Sequence, residues 1–187
     1  MERYDWDRMD VSPSLAEAVG RELEWRQPEM LRRFYQLTLD NREIATLRFE
    51  SSFGSLATGT FGQAQWTLKR KGFLSPKISV RDAGSETDIG LFTPGWTGAG
   101  WVSFGSGRRY HLRHSNFWRT EWTFESEDGT AAVTLSGNQG FIKQGARASV
   151  AQSAAGLPEA PVMLLLIWYL RVLMTEDASA AAVAAGS

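Results

Sequence analysis

The chain has 187 residues, the length of one domain with room for a substantial core. Lys and Arg number 20 against 21 Asp and Glu, a net charge of −1, which argues against polyanion binding driven by bulk charge. There is no Cys, which excludes disulfides, thiolate catalysis and Cys-ligated metal or iron–sulfur sites.

The first stretch, Met1 to Asp7, is polar and partly acidic and lacks the apolar core of a secretory signal, so a cytoplasmic protein is expected. Residues 1–22 read as a loosely held arm. Within it, Ser12 to Gly20 has the signals of a short helix: Ser12 as cap, Pro13 at the first position, Gly20 as stop, with a thin apolar face between. Leu23 to Arg26 reads as a first short strand ended by Pro28. From Arg33 the apolar period is two. Tyr35, Leu37 and Leu39 alternate with polar neighbours, Asp40-Asn41 turns the chain, and Ala45, Leu47 and Phe49 return as a hairpin partner. Leu56 to Phe61 and Gln63 to Arg70 follow, the latter with Trp66 and Leu68 on one face. Ile78 and Val80 mark the next strand, and Thr87 to Thr93 the one after, with Ile89 and Leu91 expected inward. Trp101 to Phe104 and Arg108 to Arg113 flank a Gly105-Ser106-Gly107 connection. Phe117 to Glu125 is the cleanest alternation, with Trp118, Thr120, Trp122 and Phe124 on one face; Ala131, Val133 and Leu135 pair with it, and Phe141 to Val150 is the last strand. Roughly eleven or twelve strands at this spacing, rich in Trp, Phe and Gly, predict a sandwich or barrel.

Then the pattern changes. Val162 to Leu170 is apolar on every face, so the segment must be buried in protein or in lipid. The uncharged run Ala160 to Leu170 spans roughly 17 Å as a helix, against about 30 Å for a bilayer core. Arg171 would lie in or near the lipid if the run were extended. A buried helix over about residues 159–174 is therefore expected rather than a transmembrane span. Pro158, Glu159 and Pro161 suit its entry. Arg171 is expected to emerge at one end or to meet a carboxylate, and Trp168 and Tyr169 to need polar partners. Strands of about eight residues tilted about 40° match that helix in height, so the fold expected is mainly β, a closed antiparallel barrel around a C-terminal helix.

These residues resemble the tubby C-terminal-like superfamily, which includes tubby proteins, phospholipid scramblases and LURP-one-related proteins, and are most similar to its small bacterial tubby-like members. The resemblance is carried by Ala45 to Phe49, Ser51 to Gly54, Trp66 to Arg70, Lys77 to Arg81 and the helix ending Trp168 to Met174, and covers about residues 23–175. It implies a twelve-stranded antiparallel barrel around the helix. It implies no single activity, since tubby proteins bind phosphoinositides and control transcription while scramblases act on lipids. The chain departs from scramblases in having neither cysteines to palmitoylate nor an acidic calcium segment.

Lys69, Arg70 and Lys71, with Lys77 and Arg81 on the next strand, form the basic cluster of most interest. The resemblance makes it a candidate anionic-lipid site. On spacing alone we favour the plainer account, solubilising charge on an outer face, because anionic-lipid sites are usually denser in basic residues. A second basic region, Arg108, Arg109, His111, Arg113, His114 and Arg119, has aromatics nearby, but Trp118 belongs to an apolar face and Glu121 and Glu125 offset Arg119, so nucleic acid is disfavoured. His111 and His114 fall on opposite faces of a strand and cannot chelate together. The Gly98-Ala99-Gly100 and Gly105-Ser106-Gly107 stretches lack the Lys-Ser/Thr ending of a phosphate loop. Glu125, Glu127 and Asp128 sit at a hairpin tip. No catalytic, cofactor-binding or metal-ligating constellation emerges. The Ala-rich tail, 176–187, either extends the helix or frays. The expectation is a non-enzymatic binding or scaffold domain, cytoplasmic and peripheral to membranes or anionic phospholipid. The alternative is a protein-interaction module using the N-terminal arm or the tail, and scramblase-like activity ranks third.

Overall fold

Strands form where the apolar period is two. The computed structural model describes residues 13–29, 31–95, 99–114, 121–137 and 145–186. A short helix, α1 (Pro13–Ala18), precedes β1 (Leu23–Arg26), β2 (Phe34–Leu39), β3 (Arg42–Phe49), β4 (Ala57–Phe61), β5 (Ala64–Lys71) and β6 (Lys77–Asp82). β7 (Asp88–Pro94), β8 (Gly100–Phe104), β9 (Arg109–His114), β10 (Glu121–Ser126), β11 (Ala131–Ser136) and β12 (Ala146–Val150) follow, then a 3-10 turn, Gln152–Ala154, and the long helix α2 (Ala160–Ala185). Each strand pairs antiparallel with its neighbours in sequence, and β1 pairs with β12 to close the barrel. The expected strand start at Phe117, with Trp118 and Thr120, and the segment from Phe141 to Gln144 lie outside the described residues.

The barrel closes around α2. Every residue from Ala160 to Leu173 is buried, a rod of roughly 20 Å. Among the described residues no helix is long and apolar enough to cross a membrane. Trp168 stacks on Trp25 at 5.4 Å and meets Tyr35 edge-on at 5.5 Å, and Tyr169 stacks on Phe49 at 5.4 Å. At Gly59 the helix comes so close that a Cβ would lie 2.8 Å from Leu165 Cδ1. Of the two side chains expected to need polar partners, Tyr169 donates to the Ser55 carbonyl at 2.6 Å, whereas the buried Trp168 indole N–H meets no acceptor among the described residues. Arg171 does not emerge. It is 5% exposed and donates to the Gly137 carbonyl at 3.3 Å, and its burial lowers its pKa.

Two readings are corrected and an open one is decided. In β7 it is Phe92, not Leu91, that points inward: Phe92 is 1% exposed and pairs with inward Ile78, whereas Leu91 is only partly buried and pairs with Ser79. A register shift between Val80 and Arg81 leaves Ile89 unpaired and buried, and the alternation resumes one residue out of phase. Second, the segment after residue 12 is not loose. Leu15 and Ala18 are fully buried, Val19 bridges Val150, and Gly20 turns with φ +71°. Of the two alternatives for the Ala-rich tail, the structure takes the helix: α2 continues past 174 to Ala185, where Ala favours helix and the first carboxylates beyond the barrel are held by arginines.

Candidate functional site

An up-and-down barrel places alternate connections at opposite ends. The 27–33, 50–56 and 72–76 connections leave at the end where α2 exits; the β2–β3, β4–β5 and β8–β9 turns lie at the other. At the exit, two bidentate arginine–carboxylate pairs hold successive residues of α2. Arg33 donates from Nε and Nη2 to Glu176 at 2.8 and 2.6 Å, and Arg70 from Nη1 and Nη2 to Asp177 at 2.7 and 3.2 Å. Arg33 also donates to the Ser51 and Gly54 carbonyls at 2.8 and 2.6 Å, and its guanidinium lies 3.8 Å from the Phe49 ring centroid. It thus ties the 50–56 loop to the helix and holds Phe53 at the loop tip. Between α2 and these loops runs a groove of about 1130 Å³, with Arg33, Tyr35 and Arg70 in its lining alongside Phe53, Phe73 and Leu173.

The rim displays apolar side chains with nothing over them. Phe53, Phe73, Leu74 and Leu31 are 103%, 96%, 93% and 100% exposed, and all four sit on connections at this one end. Large apolar side chains gathered on one rim ordinarily mark a contact surface.

The five predicted basic residues do not act as one cluster. Alternation in β5 puts Lys69 and Lys71 outward and Arg70 on the inward side, where Asp177 takes it. Lys71 and Lys77 pair across the β5–β6 ladder, so two like charges flank the loop carrying Phe73 and Leu74. Arg81 is committed to Glu86 at 2.6 Å and Asp88 at 2.5 Å, and Lys71 reaches Asp88 at 3.2 Å. Partial burial pushes the Asp88 carboxyl up, but hydrogen bonds from Arg81 and Lys71 outweigh it and its pKa lies below the usual value. Arg81 and Lys71 therefore belong to a neutralised surface network, and of the five predicted residues only Lys69 and Lys77 make no ion pair among the described residues.

In the second basic region Arg119 lies outside the described residues, and the described arginines are neutralised as well. Arg109 faces Glu127 at 3.6 Å, Arg113 faces Glu125 at 3.2 Å, and Arg108 reaches Glu159 at 2.9 Å. His111 packs on Trp101 at 4.6 Å and His114 on Trp122 at 4.8 Å. Among the described residues no three His, Asp or Glu side chains are grouped to hold a metal ion.

Sequence reasoning missed Arg33, Glu176 and Asp177, whose pairings span 143 and 107 positions, and the exposure of Phe53, Phe73 and Leu74. The only available signal was an acidic pair directly after an apolar helix. Searches with the chain find no matching family model, curated protein or solved structure. The class reached is thus a fold: a closed antiparallel barrel around its own C-terminal helix.

Proposed function

We propose that the protein is a non-catalytic membrane-docking domain whose helix-exit rim meets a bilayer surface carrying anionic phospholipid. The single observation behind this reading is the near-complete exposure of Phe53, Phe73 and Leu74 on one rim, with Lys77, which makes no ion pair among the described residues, beside the last two. Each such side chain gains on the order of 1.5–3 kcal/mol if fully buried, and less in an interfacial layer. Each lysine near an anionic surface adds about 1 kcal/mol. Together these terms reach the scale of micromolar association. Charge alone would be too sparse; it is the apolar lip that supports the lipid reading over solubilising charge. The resemblance to tubby-like barrels is part of the same proposal.

The test is flotation with phosphatidylcholine vesicles, with and without phosphatidylserine. Wild-type protein should float with the anionic vesicles and hardly at all with the neutral ones. Phe73→Ser with Leu74→Ser should abolish flotation, and Lys77→Glu should reduce it. Since these residues contribute little to the fold, thermal midpoints should stay close to wild type. Equal flotation of all variants would refute the docking surface.

A protein partner on the α2 extension is the second reading. It is favoured by one observation: from Asp177 to Gly186 every residue is exposed. Removing residues 178–187 would then abolish capture of that partner and leave flotation unchanged.

A further inference from the structure

We infer that the groove beside α2 takes a single phospholipid, and that Arg70 is its anion seat, filled in this structure by the protein's own Asp177. The inference rests on the membrane-docking reading and adds a ligand class to it: a lipid with a phosphate monoester headgroup and an acyl chain free to enter the groove.

The two rim arginines differ in a way that points to one of them. Arg33 has each of its guanidinium nitrogens engaged, by Glu176 and by the Ser51 and Gly54 carbonyls, and its side chain is 14% exposed. It is a fixed part of the wall. Arg70 directs its side-chain hydrogen bonds to Asp177 alone among the described residues, and its side chain is 33% exposed. Asp177 is 57% exposed, and ion pairs open to solvent on this scale stabilise weakly. The bidentate fork that holds a carboxylate matches phosphate equally well. A phosphodiester brings the same single charge as Asp177 and has no advantage over it. A monoester brings a charge of about −1.5 to −2 at neutral pH and displaces it.

The surroundings suit the rest of such a molecule. The groove pairs a polar side, Arg33, Tyr35 and Arg70, with apolar walls from Phe53, Phe73 and Leu173. Its volume of about 1130 Å³ is at or above the usual range for small-molecule sites, roughly 300–1,000 Å³. The wall that must yield is the exposed part of α2, which has few contacts to lose.

Because the chain has no Cys, Ala182→Cys gives a unique position for a spin label that reports motion of the α2 extension. Water-soluble dioctanoyl phosphatidic acid should raise the label's mobility, and dioctanoyl phosphatidylcholine should not. Asp177→Asn should bind the phosphatidic acid roughly threefold more tightly, the scale of one exposed ion pair. Arg70→Gln should lose the binding, and Arg70→Lys, which keeps the charge without the fork, should fall between. Thermal midpoints of all variants guard against misfolding as the cause. Asp177→Asn binding no more tightly than wild type, or Arg70→Gln binding as well, overturns the seat. Inorganic phosphate binding as tightly as the lipid keeps the seat and overturns the lipid. Flotation separates the two proposals: phosphatidic acid binding without flotation refutes docking alone, and flotation without phosphatidic acid binding refutes the groove alone.

Discussion

The two ends of the barrel enclose the same apolar rod and are built on opposite plans. At the end where α2 enters, the β2–β3 and β4–β5 connections are two-residue turns, and α1 lies across with Leu15 and Ala18 fully buried. Glu17 pairs with Arg42 and Arg21 with Asp40, fastening the short helix to the strands. Register shifts in the β2–β3, β6–β7 and β10–β11 pairs all fall at this end and bury consecutive residues, such as Ile44 with Ala45 and Ala132 with Val133. Bulges bend and twist strands, and three of them lie at this mouth. Glu159 is fully buried there and accepts hydrogen bonds from Ser106 at 2.6 Å and Arg108 at 2.9 Å. At the exit end the connections are longer, apolar side chains face outward and the carboxylates are on the surface. One end spends its charges on closure and the other leaves its side chains available. Stability and the proposed docking surface are therefore separable by position.

The largest expected effect is at the entry end. Arg108→Ala leaves a buried carboxylate with only the Ser106 hydroxyl among its described side-chain donors. Removing one member of a buried pair destabilises by about 3–5 kcal/mol, and the half-exposure of Arg108 places this case at the lower end. Denaturant unfolding measures it, and adding Glu159→Gln should recover much of the loss. Flotation of the folded fraction should be unchanged. Next comes the barrel's waist. Gly59→Ala drives a methyl against Leu165 and should cost about 1–3 kcal/mol. Leu165→Ala should suppress that increment, so the double-mutant cycle reads the contact itself. Additive losses would mean that strand and helix do not touch as described.

Alkaline titration compares the ends more gently. Burial pushes Tyr35 up to about 12, with Glu176 adding to the shift, and Tyr110 up to about 12, with Glu159 adding to it. Burial also carries Tyr169 to about 12, against an opposing hydrogen bond to Ser55. A folded pKa above the unfolded value of about 10 means stability that is complete below pH 10 and lost as pH rises toward 12. Unfolding midpoints should fall over that window, in step with tyrosinate absorbance. Tyr169→Phe should shrink the loss, and a midpoint flat from pH 9 to 12 would contradict the burial of all three.

What was legible in the sequence follows the same division. Local period is a property of neighbours, so the strand of Tyr35, Leu37 and Leu39, its Asp40-Asn41 turn and the all-apolar helix could be read directly. Both turn residues adopt positive φ, 49° and 64°. A bulge is a property of two strands together, so alternation alone gives Leu91 the face that Phe92 occupies. The alternation that sets Lys69 and Lys71 apart from Arg70 is visible, but Asp177, the partner that takes Arg70 on that side, lies 107 positions away. Glu159 suits the helix dipole on sequence alone, and its closing role depends on a hairpin 51 to 53 positions earlier. The bare rim had no signature at all, because an exposed Phe73 and a buried Phe92 look alike until the barrel is closed.

The smallest expected effect is the most discriminating. Glu176→Gln removes one partly exposed ion pair, worth about 1 kcal/mol or less, while Arg33 keeps its bonds to the Ser51 and Gly54 carbonyls. The 50–56 loop should therefore stay in place and only the α2 extension should loosen. Hydrogen exchange reads this residue by residue: amides in 178–185 should exchange faster, and those from Met163 to Leu173, inside the barrel, should keep wild-type rates. Local opening at a surface helix and global unfolding of a core belong to different cooperative units. If the core amides also speed up, the exit end is holding the rod in place and the division of labour between the two mouths fails. If only the extension responds, the exit can be opened without disturbing the fold, as any ligand entering beside α2 would require.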